Sequence, residues 1–158
     1  TIIAGMSITA ERDEVIDFTQ DYFPPSPSVY MGMSGSDVDL EGGVIAAQTA
    51  TIQAGYVAES GATLVEFATA EETISAVQNG EADAVLADGD YLASIIAESG
   101  GEFANVGEVS IGGGVGMGIR ESDGDLKATM DKAISSMKDD GSLNALIKKW
   151  FGNDANTF

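Results

Sequence analysis

Cysteine and histidine are both absent from this 158-residue chain. With them go zinc fingers, thiol nucleophiles, disulfide scaffolds and Ser-His-Asp triads. A cysteine-free chain also suits export. Positive charge is scarce: 7 lysines and arginines stand against 26 acids, a formal net charge of −19. Such a surface repels nucleic acid and anionic membranes, so DNA and RNA binding are set aside, and it suits a saline environment. No run approaches the ~20 apolar residues that span a bilayer. Proline is confined to Pro24, Pro25 and Pro27. What remains, a chain 44% hydrophobic, can bury a core as one domain or as two small lobes.

The scarcity of bases sharpens one position. Arg12 and Arg120 are the only arginines, and eighteen acids but no lysine lie between them. Arg12 falls in the first turns of an expected helix, where the backbone dipole disfavours a cation. An anion is needed to explain it.

Along the chain, "TIIAGMS" reads as a buried strand already under way at Thr1, so upstream sequence is expected. Thr9 can cap a helix over about residues 10–16. "YFPPSPSVYMGMS" forbids helix and reads as an extended crossing between lobes. Then come a strand at 43–48, a turn at 49–51, and a helix at 52–59 stopped by Gly61. "TLVEF" is a strand, and "TAEETISAVQNG" a helix with a capping box from Thr69 to Glu72 and Gly80 at its end. "ADAVLAD" is a strand and "DYLASIIAES" a helix. This alternation implies a mostly parallel sheet with right-handed crossovers. "VSIGGGVGMGIR" is extended and crosses back. Two helices broken at Gly141 follow, the first buried along Leu126, Met130, Ala133 and Met137. Two crossings around an α/β unit describe a two-lobed clamshell.

Ligands in open α/β sheets bind beyond the carboxyl ends of strands. Three such ends carry chemistry. From Gly5 to Arg12, Ser7 and Thr9 offer hydroxyls and Arg12 a planar fork for a carboxylate; the alternative is a surface arginine paired with Glu11, Asp13 or another acid nearby. Thr51 precedes a helix, so its hydroxyl and the free N–H groups behind it form a small anion site, or else it is a plain cap. Asp88 ends a strand and either caps the next helix or holds an ammonium. Taken together, Arg12 and Thr51 fit an α-carboxylate, and Asp88 with Ser7 an α-ammonium: a receptor for a zwitterion. "SDGD" at 122–125 and "DGD" at 88–90 lack the full spacing of a calcium loop, so no metal is expected. "GGGVGMG" is not followed by a capped helix in the dinucleotide manner.

"AGMSITAERDEVIDFTQDYF", "QTATIQAGYV", "NGEADAVLAD" and "DDGSLNALIKKWFG" resemble, in order and spacing, the bacterial extracellular solute-binding proteins for polar amino acids (family 3) that serve ABC importers. The resemblance covers essentially the whole chain. It implies a periplasmic-binding-protein-like two-lobed clamshell of α/β class. Residues 1–25 and 114–158 would belong to a partial first lobe, and 26–113 would be a complete second lobe. By position Ser7 and Arg12 match first-lobe ligand residues; Thr51, the Ile52 backbone and Asp88 match second-lobe ones. Gly5 falls where a backbone carbonyl meets the ammonium, and Gln48 where ligand side chains are contacted. The chain departs from the family in having Ala50 where glycine usually precedes the threonine. Family members also carry an upstream segment whose aromatic and acidic groups sandwich the ligand side chain. Without it, the first-lobe remnants are expected to be partly molten or covered by a second chain.

The function this implies is capture of a free polar amino acid and delivery to a membrane permease. The setting would be periplasmic, or extracellular and lipid-anchored in a Gram-positive organism, and no cofactor is involved. Two alternatives share the fold. A sensor domain would continue into a membrane segment, where this chain ends in "NDANTF". A cyclohexadienyl-dehydratase-like enzyme needs a positioned general acid, and no aspartate or glutamate is marked out for that task.

Overall fold

The computed structural model describes residues 1–153 and 155–158. The chain divides into two compact units, Pro27–Ile111 and Thr1–Ser26 with Gly112–Phe158.

The Pro27–Ile111 unit is a five-stranded sheet clad by helices. Its elements are β2 (Ser28–Met33), β3 (Val44–Gln48), α2 (Ile52–Glu59), β4 (Thr63–Phe67), α3 (Ala70–Gln78), β5 (Ala84–Asp88), α4 (Gly89–Glu98) and β6 (Phe103–Val109). The strand order is β4-β3-β5-β2-β6. β3 runs parallel to β4 and β5. β2, however, is antiparallel to both β5 and β6, so the sheet is mixed rather than mostly parallel. Residues 28–33, expected as part of a crossing, are instead an inner strand buried along nearly its whole length. The prolines end just before it, which frees its N–H groups for two ladders.

Period-two alternation sorts the side chains onto two faces. Val29, Met31, Ala46 and Val85 pack with Ala76, Val77, Leu92 and Phe103. Tyr30, Ile45, Ala84 and Leu86 pack with Val57 of α2. Ile45 and Leu86 are essentially inaccessible, and burial of each stabilises by roughly 1.5–3 kcal/mol. The Thr69–Glu72 capping box forms at α3. α2 is ended by Ser60 in an extended conformation, one residue before Gly61.

The other unit has α1 (Ala10–Asp13), β1 (Asp17–Phe18), β7 (Gly118–Ile119), α5 (Gly124–Asp139) and α6 (Ser142–Phe151). "TIIAG" is not a buried strand: Ile2 makes a single bridge to Gly118, and Ile2 and Ile3 are exposed. Gly5 at φ +65° turns the chain before a ladder can extend. The helix after Thr9 is one turn long, ending at Asp13. β1 pairs antiparallel with β7. Gly114 lies so close to Asp21 and Phe23 that a Cβ there would sit 2.6 Å from the Phe23 carbonyl oxygen, which accounts for part of the glycine-rich run. Gln20 donates from Nε2 to the Asp131 carbonyl and Ser135 Oγ at 2.6 and 2.7 Å, and Lys138 pairs with Asp21 at 2.7 Å. These tie the unit's two chain segments together. On α5 the buried residue is Ile134, packed with Leu143 and Ile147. Ala133 is exposed, because the 126–130–134–137 stripe leaves it one position off the apolar face.

Ala50, in the turn between β3 and α2, is the one non-glycine with positive φ among the described residues, at 63°. An L-residue is strained there, so Ala50→Gly is expected to raise stability by about 1 kcal/mol. Urea denaturation checks this; an unchanged or lowered midpoint would show that the turn is not strained.

Candidate functional site

Because β3 and β5 are parallel, their carboxyl ends emerge at one edge, each followed by a helix. A cavity of about 310 Å³ opens there, lined by Gln48, Thr51, Gln53, Thr73, Asp88 and Tyr91 together with apolar residues. Thr51 is the N-cap of α2: its Oγ1 accepts from the Ala54 N–H at 3.2 Å and donates to the Gln48 carbonyl at 2.7 Å. The hydroxyl proton is therefore spent inside the loop. Ala54 N–H goes to the Thr51 side chain and Gly55 N–H to the Thr51 carbonyl. The first-turn donors left without an acceptor in the helix are those of Ile52 and Gln53, aligned with the positive end of the helix dipole. Ile52 is not among the residues that line the cavity.

Asp88 stands at the N-cap of α4, yet its side chain makes no capping hydrogen bond. The capping alternative is therefore not what the carboxylate does. Instead Oδ1 accepts from Gln53 Nε2 at 2.7 Å. The same nitrogen donates to Ser28 Oγ at 3.0 Å, and Ser28 lies opposite Asp88 in the β2–β5 ladder. Gln48 directs its amide away, to the Ala68 carbonyl at 3.1 Å. Burial, and then the negative charge of Glu71, push the Tyr91 hydroxyl above its ordinary range. It stays a donor at neutral pH.

In the other unit Thr9 caps α1 by accepting from the Arg12 N–H at 3.2 Å. The Arg12 guanidinium donates from Nη1 to the Ser7 carbonyl at 3.0 Å, which brings two expected residues into contact. Ser7 is further held by its bridge to Val115. Gly5 lies two positions earlier in the chain, exposed, with no described contact to either.

Gln48, Thr51 and Asp88 thus share one cavity, while Gly5, Ser7 and Arg12 belong to the other unit. No cluster of three metal-ligating residues exists among the described residues. Gln53 and Tyr91 were not singled out by the sequence. A glutamine two residues past an N-cap carries no signal until the Ser28–Asp88 register is known.

The profile of the bacterial extracellular solute-binding proteins, family 3, matches residues 1–153. A putative ABC transporter arginine-binding protein 2 of Escherichia coli is 26% identical over 160 residues, 95% of this chain and 65% of that protein. The chain spans 60 to 65% of the length of the first curated relatives it matches. Among solved structures, a periplasmic His/Glu/Gln/Arg/opine family-binding protein from Silicibacter pomeroyi, in complex with lysine, is 69% identical. Its TM-score is 0.94, with 99% of this chain and 72% of that one covered. The GluR0 ligand-binding core from Nostoc punctiforme, in complex with L-glutamate, is 29% identical with a TM-score of 0.85, covering 95% and 72%. In sequence and in fold, then, this chain belongs to the bacterial extracellular solute-binding proteins of family 3.

Proposed function

We propose that the protein captures a free amino acid with a cationic side chain outside the cytoplasmic membrane and hands it to an ABC permease. The observation that carries the reading is the cavity at the β3/β5 edge, which is lined by both Gln53, in the first turn of α2, and the Asp88 carboxylate. That polarity matches an α-amino acid. In the Pro27–Ile111 unit the Ile52 and Gln53 N–H groups suit the α-carboxylate and Asp88 the α-ammonium; in the other unit the Arg12 fork suits a carboxylate, and the Ser7 hydroxyl and Gly5 carbonyl an ammonium.

The side-chain preference comes from charge. Residues 27–111 contain no lysine or arginine, so the potential around the cavity is negative and favours a cationic ligand. The lysine complex of the Silicibacter pomeroyi relative and the arginine-binding name of the Escherichia coli one support this reading. The chemistry needed is recognition alone, and the named relatives are binding proteins rather than enzymes. A second reading, a glutamate-responsive sensor, draws on the Nostoc punctiforme core. It predicts tighter binding of glutamate than of lysine, and calorimetric titration with both decides between them.

Arg12→Ala is expected to weaken lysine binding by about 2–5 kcal/mol, since it removes a charge partner of the ligand carboxylate. Arg12→Lys should also weaken it, because an ammonium cannot replace the bidentate fork. Calorimetry showing parent-like affinity in either variant would remove Arg12 from the site.

Asp88→Asn retains shape but loses charge. As Asp88 does not cap α4 through its side chain, the melting temperature should hold while binding falls by about 2 kcal/mol or more. A lower melting temperature with parent-like binding would restore the structural reading.

A further inference from the structure

We propose that Gln53 is a positioning residue, whose side-chain amide holds Asp88 in the orientation that receives the ligand's ammonium. The inference rests on the amino-acid reading of the cavity above. Asp88 has two competing uses. As the N-cap residue of α4 it could turn its carboxylate onto the free N–H groups of that helix's first turn, a strongly preferred arrangement. It does not. Its Oδ1 is taken by Gln53 Nε2 at 2.7 Å, a charge-assisted hydrogen bond, which leaves Oδ2 for a ligand.

Gln53 is built to hold that bond. The residue is 5% exposed, and its side-chain nitrogen has two hydrogens, both used: one to Asp88 and one to Ser28 Oγ at 3.0 Å. Ser28 is itself buried and fixed opposite Asp88 by the β2–β5 ladder. The amide cannot be turned the other way, because its oxygen would then face a carboxylate oxygen. A glutamine whose only task was to satisfy Ser28 would not need to reach the cavity wall. Gln53 also carries one of the two free first-turn N–H groups of α2. A single residue therefore joins the group that meets the ligand carboxylate to the group that meets its ammonium.

The test uses two ligands that differ only at the ammonium: lysine and 6-aminohexanoate, which lacks the α-amino group. The parent protein should prefer lysine. Gln53→Met, similar in size but without a donor, should lower lysine affinity about tenfold or more while leaving 6-aminohexanoate within about twofold. Gln53→Asn, one methylene shorter and still polar, should show the same selective loss even if the methionine variant folds poorly. In an Asp88→Asn background neither substitution should add a further loss. Equal losses for both ligands would mark Gln53 as packing, and unchanged discrimination would show that it positions nothing; either overturns the proposal. If the parent binds lysine no better than 6-aminohexanoate, the amino-acid reading falls as well, which separates the two failures.

Discussion

Parallel pairing of β3 with β5 is the constraint on which the candidate site rests. Ile45 lies opposite Ala84 and Ala46 opposite Val85, so both strands release the chain at the same edge. The groups presented beyond the two strands are chemically opposite. After β3 the chain turns through Ala50 and opens α2, presenting backbone N–H groups. After β5 it presents the Asp88 carboxylate. Were β5 reversed, Asp88 would emerge at the far edge and the cavity would have donors only. The apolar alternation of Ile45, Ala46, Val85 and Leu86 holds the two strands in place. Packing thus sets the distance between the poles, and the poles set what fits.

Charge is unevenly distributed between the two units. Among the described residues, the ion pairs lie in the Thr1–Ser26 and Gly112–Phe158 unit, since the cations themselves are there. The sheet unit has acids without bases. A carboxylate entering it must be met locally by the first-turn N–H groups of α2 against an unfavourable field, whereas a cationic side chain enters with the field. Added salt shortens the reach of that field to about 8 Å at physiological strength, so close contacts persist while long-range attraction fades.

The elements read most readily from the sequence were those whose signals are local. Thr51 and Thr69 precede α2 and α3 as caps, and the short apolar runs at β3, β4 and β5 have strand length. Those lost depend on partners elsewhere in the chain. "SVYMGM" follows prolines and resembles a linker, and its direction in the sheet is set only by β5 and β6. "FANVGEV" has a glycine and an asparagine inside a strand that its neighbour β2 stabilises. Ile2 and Ile3 look buried by hydrophobicity alone, yet one bridge does not make a strand. At the cavity, strand ends followed by helices pointed to Thr51 and Asp88, while Gln48 was named only through the family resemblance. They did not reveal that the Thr51 proton is committed to Gln48, nor that Gln53 occupies Asp88 Oδ1. Both facts belong to three-dimensional hydrogen bonding.

The most direct measurement is a crystal structure of the protein with lysine bound. The α-carboxylate is expected within hydrogen-bond distance of the Ile52 and Gln53 backbone nitrogens and the α-ammonium on Asp88 Oδ2, with Gln53 Nε2 still on Oδ1. Lysine seated elsewhere, or with its ends exchanged, would contradict it.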